Sequence, residues 1–178
     1  MVEFIDSNGG PLLMLEQDLL PYWGGIDNIG GVANPHRNRV PFEGPSDYDR
    51  AGEVKGWIAP LQVHDRAGVV FWGNHLGLAL VSQSEATFFA VRPYYEIEDL
   101  QDHIKFVKEN PNCFTKDFET LISFGRAIVF DSAFPGLEII GSRLVIDALP
   151  GIYEVSTYWQ KIPDAEVVFH KFNLCQGR

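Results

Sequence analysis

Cysteine, long apolar runs and basic residues are all scarce in this sequence. Only two of the 178 residues are cysteines, Cys113 and Cys175, which are too few for a disulfide-rich scaffold or a four-thiolate metal site. No stretch approaches the roughly 18 consecutive apolar residues that a transmembrane helix needs. The start, MVEFIDSNGG, lacks the basic and apolar regions of a secretory signal. We therefore expect a cytoplasmic protein with no membrane contact.

The shortage of basic residues gives the chain a strong negative charge. Lys and Arg number 14 against 24 Asp and Glu, so the formal net charge is -10 at pH 7. A field of this sign repels nucleic acid and attracts cationic partners. Solubility alone also explains an acidic composition, so the charge argues against a nucleic-acid ligand without identifying a partner.

Signatures of common catalytic and binding sites are missing as well. The five histidines are scattered, with no His-x-x-x-His pair, and there is no Gly-x-Ser-x-Gly nucleophile motif. The stretch SNGGPL at residues 7–12 lacks the spacing of a phosphate-binding loop, and Pro11 removes a backbone N–H that such a loop would use. We expect no metal and no cofactor, and we interpret SNGGPL as a structural turn.

Apolar residues are plentiful, and their alternation predicts mostly antiparallel sheet. The chain is 46% hydrophobic, which with its length predicts one domain over residues 1–178, or two fused lobes at 1–92 and 93–178. In EVKGWIAPLQV the side chains from Trp57 to Val63 alternate, and Pro60 places that strand at a sheet edge. Further strands are predicted at VVFW, LGLALV, ATFFAVR, AIVF, LEIIG, RLVIDAL, IYEVSTYWQ and AEVVFHKFNL.

Helical periodicity interrupts the strands in the middle of the chain. EIEDLQDHIKFVKEN carries an apolar stripe from Ile97 to Val107. TKDFETLISFG is predicted as a second helix, with Thr115 as its N-cap and Gly125 after its end. Pro21 limits a further helix near the N-terminus to a short one. The predicted fold class is α+β, a largely antiparallel β-sheet with two central amphipathic helices and a short N-terminal helix.

Carboxylates cluster in SDYDRAGEVKGW, where Asp47 and Asp49 flank Tyr48 and Glu53 follows. In an extended segment the two aspartates would share one side, as the acid–base pair of a small hydrolase working with a histidine. The same residues are typical of a capped turn before a strand. They would also suit the rim of a protein interface, where charge sets association rate and orientation. All three interpretations stay open at the level of sequence.

Three tryptophans, Trp57, Trp72 and Trp159, lie in strand-like runs. If their rings are exposed, they predict the stacking platform of a ligand- or sugar-binding β module. If they are buried, they belong to the core, which is the commoner place for an aromatic residue in a strand.

Two stretches, FIDSNGGPLLML and SDYDRAGEVKGWIAPLQV, resemble the opening and the second block of the bacterial immunity protein 21 family. The resemblance implies a cytoplasmic antitoxin of a polymorphic-toxin system. Such a protein binds its cognate toxin and blocks it by occlusion, with no catalysis of its own. The acidic balance of this chain would suit a basic toxin, for example a nuclease.

If the resemblance holds, acidic residues and the loop over residues 24–46 are the expected toxin contacts, because charged rims steer association. The first choice is the cluster around Asp47, and the acidic first turn of the helix in EIEDLQDHIKFVKEN is the second. The candidate partner-binding residues are Asp27, Glu43, Asp47, Tyr48, Asp49, Glu53, Glu96, Glu98 and Asp99.

Overall fold

The computed structural model describes residues 2–7, 10–26, 45–72, 77–94, 99–122, 125–139, 142–162 and 165–177. The strands in these ranges are β1 Leu12–Glu16, β2 Ile58–Val63, β3 Arg66–Phe71, β4 Ala79–Ser84, β5 Thr87–Pro93, β6 Thr115–Ile122, β7 Arg126–Asp131, β8 Leu144–Asp147, β9 Gly151–Ile162 and β10 Ala165–Gly177. The α-helices are α1 Asp47–Gly52 and α2 Leu100–Glu109, and 3-10 helices cover Gln17–Tyr22, Pro111–Cys113 and Gly136–Glu138. None of the helices described is long and apolar enough to span a bilayer.

The strands form two antiparallel sheets of five strands each. Sheet 1 has the order β2-β3-β1-β7-β8, and sheet 2 has the order β4-β5-β10-β9-β6. The sheets pack face to face, with β2 beside β6 and β4 beside β8 at their edges. The expectation that the strand containing Pro60 lies at an edge is confirmed, since β2 pairs with β3 alone among the described strands.

The hydrophobic core consists of three clusters: one between the two sheets and one on the outer face of each sheet. Side chains from both sheets, including Phe71, Val129, Tyr153 and Phe172, fill the space between them. The outer face of sheet 1 is covered by the 3-10 helix Gln17–Tyr22, Trp23 and α1. The outer face of sheet 2 is covered by α2 through Ile104 and Val107. α1 and α2 therefore lie on opposite outer faces of the molecule.

The predicted antiparallel β-rich architecture with few helices is confirmed, and α2 confirms the core of the first predicted central helix. Its start at Leu100 follows directly on the described Asp99, while residues 95–98 fall outside the described chain. The short N-terminal helix exists as the 3-10 helix Gln17–Tyr22, which contains Pro21. The segment LLMLE before it is β1, with all five residues buried, because it lies at the centre of sheet 1 with cover on both faces.

The prediction of a helix in TKDFETLISFG is wrong. Thr115–Ile122 is β6, which pairs antiparallel with β9 from Thr115↔Thr157 to Ile122↔Gly151. Phe118 and Ile122 are four residues apart and suit either one helix face or one strand face. Pairing with the long strand β9 decides in favour of the strand, and this pairing is invisible in local periodicity.

The strand predicted at LEIIG is wrong over its described part, residues 137–139; residues 140 and 141 lie outside the described chain. The first part of LEIIG belongs to the 3-10 helix Gly136–Glu138. Gly136 N–H donates to the Trp23 carbonyl at 2.9 Å, and a Cβ at Gly136 would lie 2.8 Å from the Leu20 backbone. The close approach to the N-terminal 3-10 helix thus holds this segment in a turn.

Candidate functional site

Asp47, the first residue of α1, is fully buried and joins three segments of the chain. Its Oδ2 accepts a hydrogen bond from Gly24 N–H at 2.8 Å, and its Oδ1 accepts one from Arg50 Nη1 at 2.7 Å. Arg50 Nη2 in turn donates to the Gln62 carbonyl of β2 at 2.6 Å. A buried carboxylate needs such partners to offset its desolvation. Asp47 therefore fixes α1 against sheet 1 and presents no surface to a partner.

Ser46 and Asp49 form a capping box at the start of α1. The Asp49 N–H donates to Ser46 Oγ at 3.1 Å, and the Ser46 N–H and hydroxyl both donate to Asp49 Oδ2 at 2.8 Å. Hydrogen bonds from the backbone and then the side chain of Ser46 lower the pKa of Asp49 below its ordinary value. Asp49 is exposed, so its carboxylate caps the helix while facing solvent.

The two sequence blocks that carry the family resemblance contact each other through Gly10 and Tyr48. The Tyr48 ring lies so close to Gly10 that a Cβ there would come within 2.6 Å of Tyr48 Cε2. The Tyr48 N–H donates to the Gly25 carbonyl at 3.2 Å. A side chain at position 10 would force the Tyr48 ring or the backbone to move, so packing accounts for the glycine at this position.

The next residue, Pro11, is tied to the loop after β7. Ser132 Oγ donates to the Pro11 carbonyl at 2.6 Å, and Trp23 Nε1 donates to the Ser132 carbonyl at 2.9 Å. Trp23 and Ser132 are both buried. These bonds anchor the second half of SNGGPL within the molecule; Asn8 and Gly9 lie outside the described residues.

A second group of acids lies around Arg66, beside the 3-10 helix that covers the outer face of sheet 1 together with α1. Arg66 at the start of β3 pairs with the buried Glu16 at 2.9 Å, with Asp18, and with Asp65 at 3.6 Å. The Asp18 and Asp65 side chains remain 41% and 67% exposed. Glu53, the C-cap of α1, is exposed and forms no ion pair with any described residue. This surface, which we call the α1 acidic face, consists of Asp18, Asp49, Glu53 and Asp65.

The structure brings four of the nine predicted contact residues together and separates a fifth from them. Asp47, Tyr48, Asp49 and Glu53 share α1 and its C-cap. Asp99 is the exposed N-cap of α2, on the opposite outer face. The other four predictions, Asp27, Glu43, Glu96 and Glu98, lie outside the described residues.

Among the described residues, the surroundings of Asp47 lack the features of a hydrolase site. Its carboxylate is engaged by Arg50 and the Gly24 N–H, and it has no exposed surface for a substrate to reach. Of the histidines, His64 stacks on Tyr22 at 4.0 Å, His103 lies on α2, and His170 is buried between the sheets. His36 and His75 are not among the described positions. No group of three or more potential metal ligands occurs in the described part of the chain.

None of the three tryptophans Trp57, Trp72 and Trp159 is fully buried. Trp72 and Trp159 are half-buried, and Trp57 is 36% exposed. Trp57 packs edge-on against Trp159 with ring centroids 4.6 Å apart, and Trp159 Nε1 donates to Glu166 Oε2 at 3.1 Å. The pair connects sheet 1 to sheet 2 and leaves part of one indole accessible.

Sequence reasoning missed two positioning residues, Gly10 and Arg50. The Ser-x-x-Asp spacing from Ser46 to Asp49 is a recognisable capping signal and would have placed the start of α1. Nothing local indicates that Gly10 meets Tyr48, because 37 residues of the chain separate the two positions. That contact depends on the fold.

Comparison with known protein families gives a match over most of the chain. The model of the family described as immunity protein 21 matches residues 3–165, a range that includes both blocks and every strand from β1 to β9. No curated protein and no solved structure matches the chain.

Proposed function

Because the chain belongs to the immunity protein 21 family, we propose that it binds and neutralises a cognate polymorphic toxin. It acts by occlusion and carries out no catalysis. The observation that supports this most directly is the state of the Asp47 carboxylate: it is buried, paired with Arg50 and used to hold α1 in place. The most conspicuous acidic cluster of the sequence thus organises a surface, as binding proteins require of their scaffolds.

The α1 acidic face is the proposed toxin contact. Asp49 and Glu53 are exposed there, while Asp47 and Tyr48 hold the helix from below. The exposed acids Asp18 and Asp65 lie around Arg66, and with the buried Glu16 they leave that group negative overall. Negative charge at the rim of an interface raises the association rate with a basic partner and fixes its orientation.

The segment over residues 27–44, with Asp27 and Glu43, is proposed to contribute to the same contact. Its attachment points are held close together by described residues: the Ile26 N–H donates to the Ala133 carbonyl at 3.1 Å, and the Tyr48 N–H donates to the Gly25 carbonyl at 3.2 Å. Loops carried on a rigid base are common binding elements. The base of this segment borders the α1 acidic face.

Asp99 and the first turn of α2 are the second choice for a toxin contact. A standard interface covers about 800 Å² of each partner, so one compact toxin domain would not contact both outer faces at once. Glu96 and Glu98 belong to this second choice. The proposed toxin is basic, and a nuclease is the candidate class, since a nuclease surface must attract phosphate.

The test is co-expression with the toxin domain encoded in the neighbouring reading frame. We expect the chain to restore growth and to co-purify with that domain, and we expect the complex to weaken as salt is raised. Growth arrest that persists despite soluble expression of both proteins, together with no complex at low salt, would contradict the proposal.

A further inference from the structure

A groove of about 420 Å³ opens where sheet 1 and sheet 2 meet along one side of the sandwich. It lies between β2 and β6, which are the edge strands of their sheets among the described elements. The side chains that matter for its chemistry are Lys55, Trp57, Pro60, Asp117, Phe118 and Thr157. The groove is separate from Asp47, Asp49 and Glu53, none of which lines it.

The aromatic wall of the groove is Trp57. The Trp57 indole is held by its edge-on contact with Trp159. The backbone carbonyl of Trp57 accepts a hydrogen bond from the Trp72 N–H at 3.0 Å. Trp57 nevertheless stays 36% exposed. A positioned indole that remains accessible suits stacking with a cation and is common among residues that dominate binding energy.

Asp117 also lines the groove, at a β-bulge of β6. The register of β6 against β9 shifts between Lys116 and Phe118, so Asp117 is the extra residue of the strand. Lys116 lies on the outer face with Glu154, and Phe118 packs into the core between the sheets. Bulges redirect side chains and occur often beside functional sites. This one directs Asp117 towards Thr157 on the groove side.

The hydrogen bonding of Asp117 leaves it able to receive a cation. Thr157 Oγ1 donates to Asp117 Oδ2 at 2.6 Å, because an ionised carboxylate can only accept. The same hydroxyl oxygen lies 2.8 Å from Nδ1 of the buried His170 and therefore accepts from it. No Lys, Arg or His side chain of the described residues forms an ion pair with Asp117, whereas Glu119, Glu154 and Asp147 each have one.

We propose that this groove binds the guanidinium or ammonium group of an arginine or lysine side chain carried by a partner protein. The cation would stack on Trp57 and donate to the carboxylate of Asp117, whose orientation Thr157 and His170 fix from behind. Charge complementarity supports this occupant in a chain of formal net charge -10. Lys55 at the rim is the one basic side chain among those lining the groove, and it limits the affinity for a cation. That the carrier is the toxin rests on the function proposed above; recognition of the cation does not.

The experiment is a titration of the full ¹⁵N-labelled chain with N-acetyl-arginine amide, followed by the indole N–H signal of Trp57. N-acetyl-citrulline amide is the control ligand, since it keeps the planar shape and lacks the charge. We expect the arginine derivative to bind at least about fivefold more tightly than the citrulline derivative, in line with the gain from a cation over an indole. Equal affinity for the two, or no shift of the Trp57 signal with either, would overturn the proposal.

Two variants make the titration specific to the groove. D117N keeps an acceptor for the Thr157 hydroxyl and should abolish the preference for arginine while leaving the rest of the spectrum unchanged. K55M removes the competing charge and should tighten arginine binding. A preference that survives D117N would show that Asp117 does not receive the cation, and weaker arginine binding by K55M would show that the groove does not favour one; either result overturns the proposal. Because no toxin is present, failure here leaves the proposed function untouched, and a failed toxin complex leaves this result untouched.

Discussion

The packing of Gly10 against Tyr48 can be tested by adding one methyl group at position 10. G10A would place a Cβ 2.6 Å from Tyr48 Cε2, which must displace the ring or the backbone. We expect a loss of about 1–3 kcal/mol in the free energy of unfolding, measured by urea denaturation. G52A is the matched control, since a Cβ there meets nothing within 4 Å, and alanine is the better helix former. Equal stability of G10A and wild type would contradict this packing.

The buried carboxylate of Asp47 is expected to stabilise the fold. D47N keeps the shape but leaves the Arg50 guanidinium without its anionic partner and disturbs the bond from the Gly24 N–H. Breaking a buried ion pair usually costs several kcal/mol. Because Arg50 is 32% exposed, water can partly solvate its charge, and we expect D47N to lower the free energy of unfolding by about 2 kcal/mol. D65N, at an exposed carboxylate, should change stability by less than about 0.5 kcal/mol. A D47N variant as stable as D65N would show that Asp47 does not anchor α1.

The capping box gives Asp49 a pH-dependent contribution to stability. Its folded-state pKa lies below the ordinary 3.8 because of the hydrogen bonds from Ser46. The contribution is therefore fully present above the unfolded-state pKa and is lost as pH falls through the folded-state value. We expect D49N to be less stable than wild type at pH 7, and the difference to shrink below about pH 4. Urea denaturation of both proteins between pH 3 and pH 7 would measure it; a difference that stays constant would contradict the assignment.

At the scale of elements, the local sequence pattern predicts a strand correctly where one face of that strand is buried. It fails where pairing with a distant strand decides between helix and strand. β2, with Pro60 at an edge, follows from alternation and proline chemistry alone. In TKDFETLISFG, residues Phe118 and Ile122 suit a helix as well as a strand, and only the distant partner β9 makes it β6. The bulge at Asp117 has no local signal, since it exists only relative to β9.

The candidate site shows the same division. The Ser46-to-Asp49 spacing predicts a capped turn, and the structure contains one as the start of α1. The burial of Asp47 depends on Gly24 and on Gln62 through Arg50, which no local pattern brings together. Four of the proposed contacts lie together because they are neighbours in sequence, whereas the placement of Asp99 on the other face required the fold.

Helix α2 should depend on its inner face for attachment to sheet 2. Ile104 is buried against strands β5 and β10, whereas Phe106 on the same helix is 40% exposed. I104A should lower the free energy of unfolding by about 2–4 kcal/mol, since it leaves a cavity. F106A should cost clearly less, and comparable losses for the two variants would contradict the packing of α2 described here. Thermal and urea denaturation of both variants would provide the comparison.

At the scale of the whole molecule, the two sheets separate two acidic surfaces. The α1 acidic face covers sheet 1, and the acidic start of α2 covers sheet 2. A chain of net charge -10 attracts a basic partner from any direction at long range. The choice between the faces must then come from short-range contacts, and the rigid anchoring of α1 through Asp47 favours the first face.

The most direct test is the affinity and association rate of this chain for its cognate toxin domain, measured for wild type, E53K and E109K. Glu53 is the C-cap of α1 and Glu109 is the last residue of α2, and both are exposed. A lysine at either position lies at a helix C-terminus, where positive charge is favourable, so both variants should fold. The account predicts that E53K weakens binding about tenfold or more, mainly through slower association, while E109K stays within about twofold of wild type. Equal losses in the two variants, or a loss confined to E109K, would contradict it.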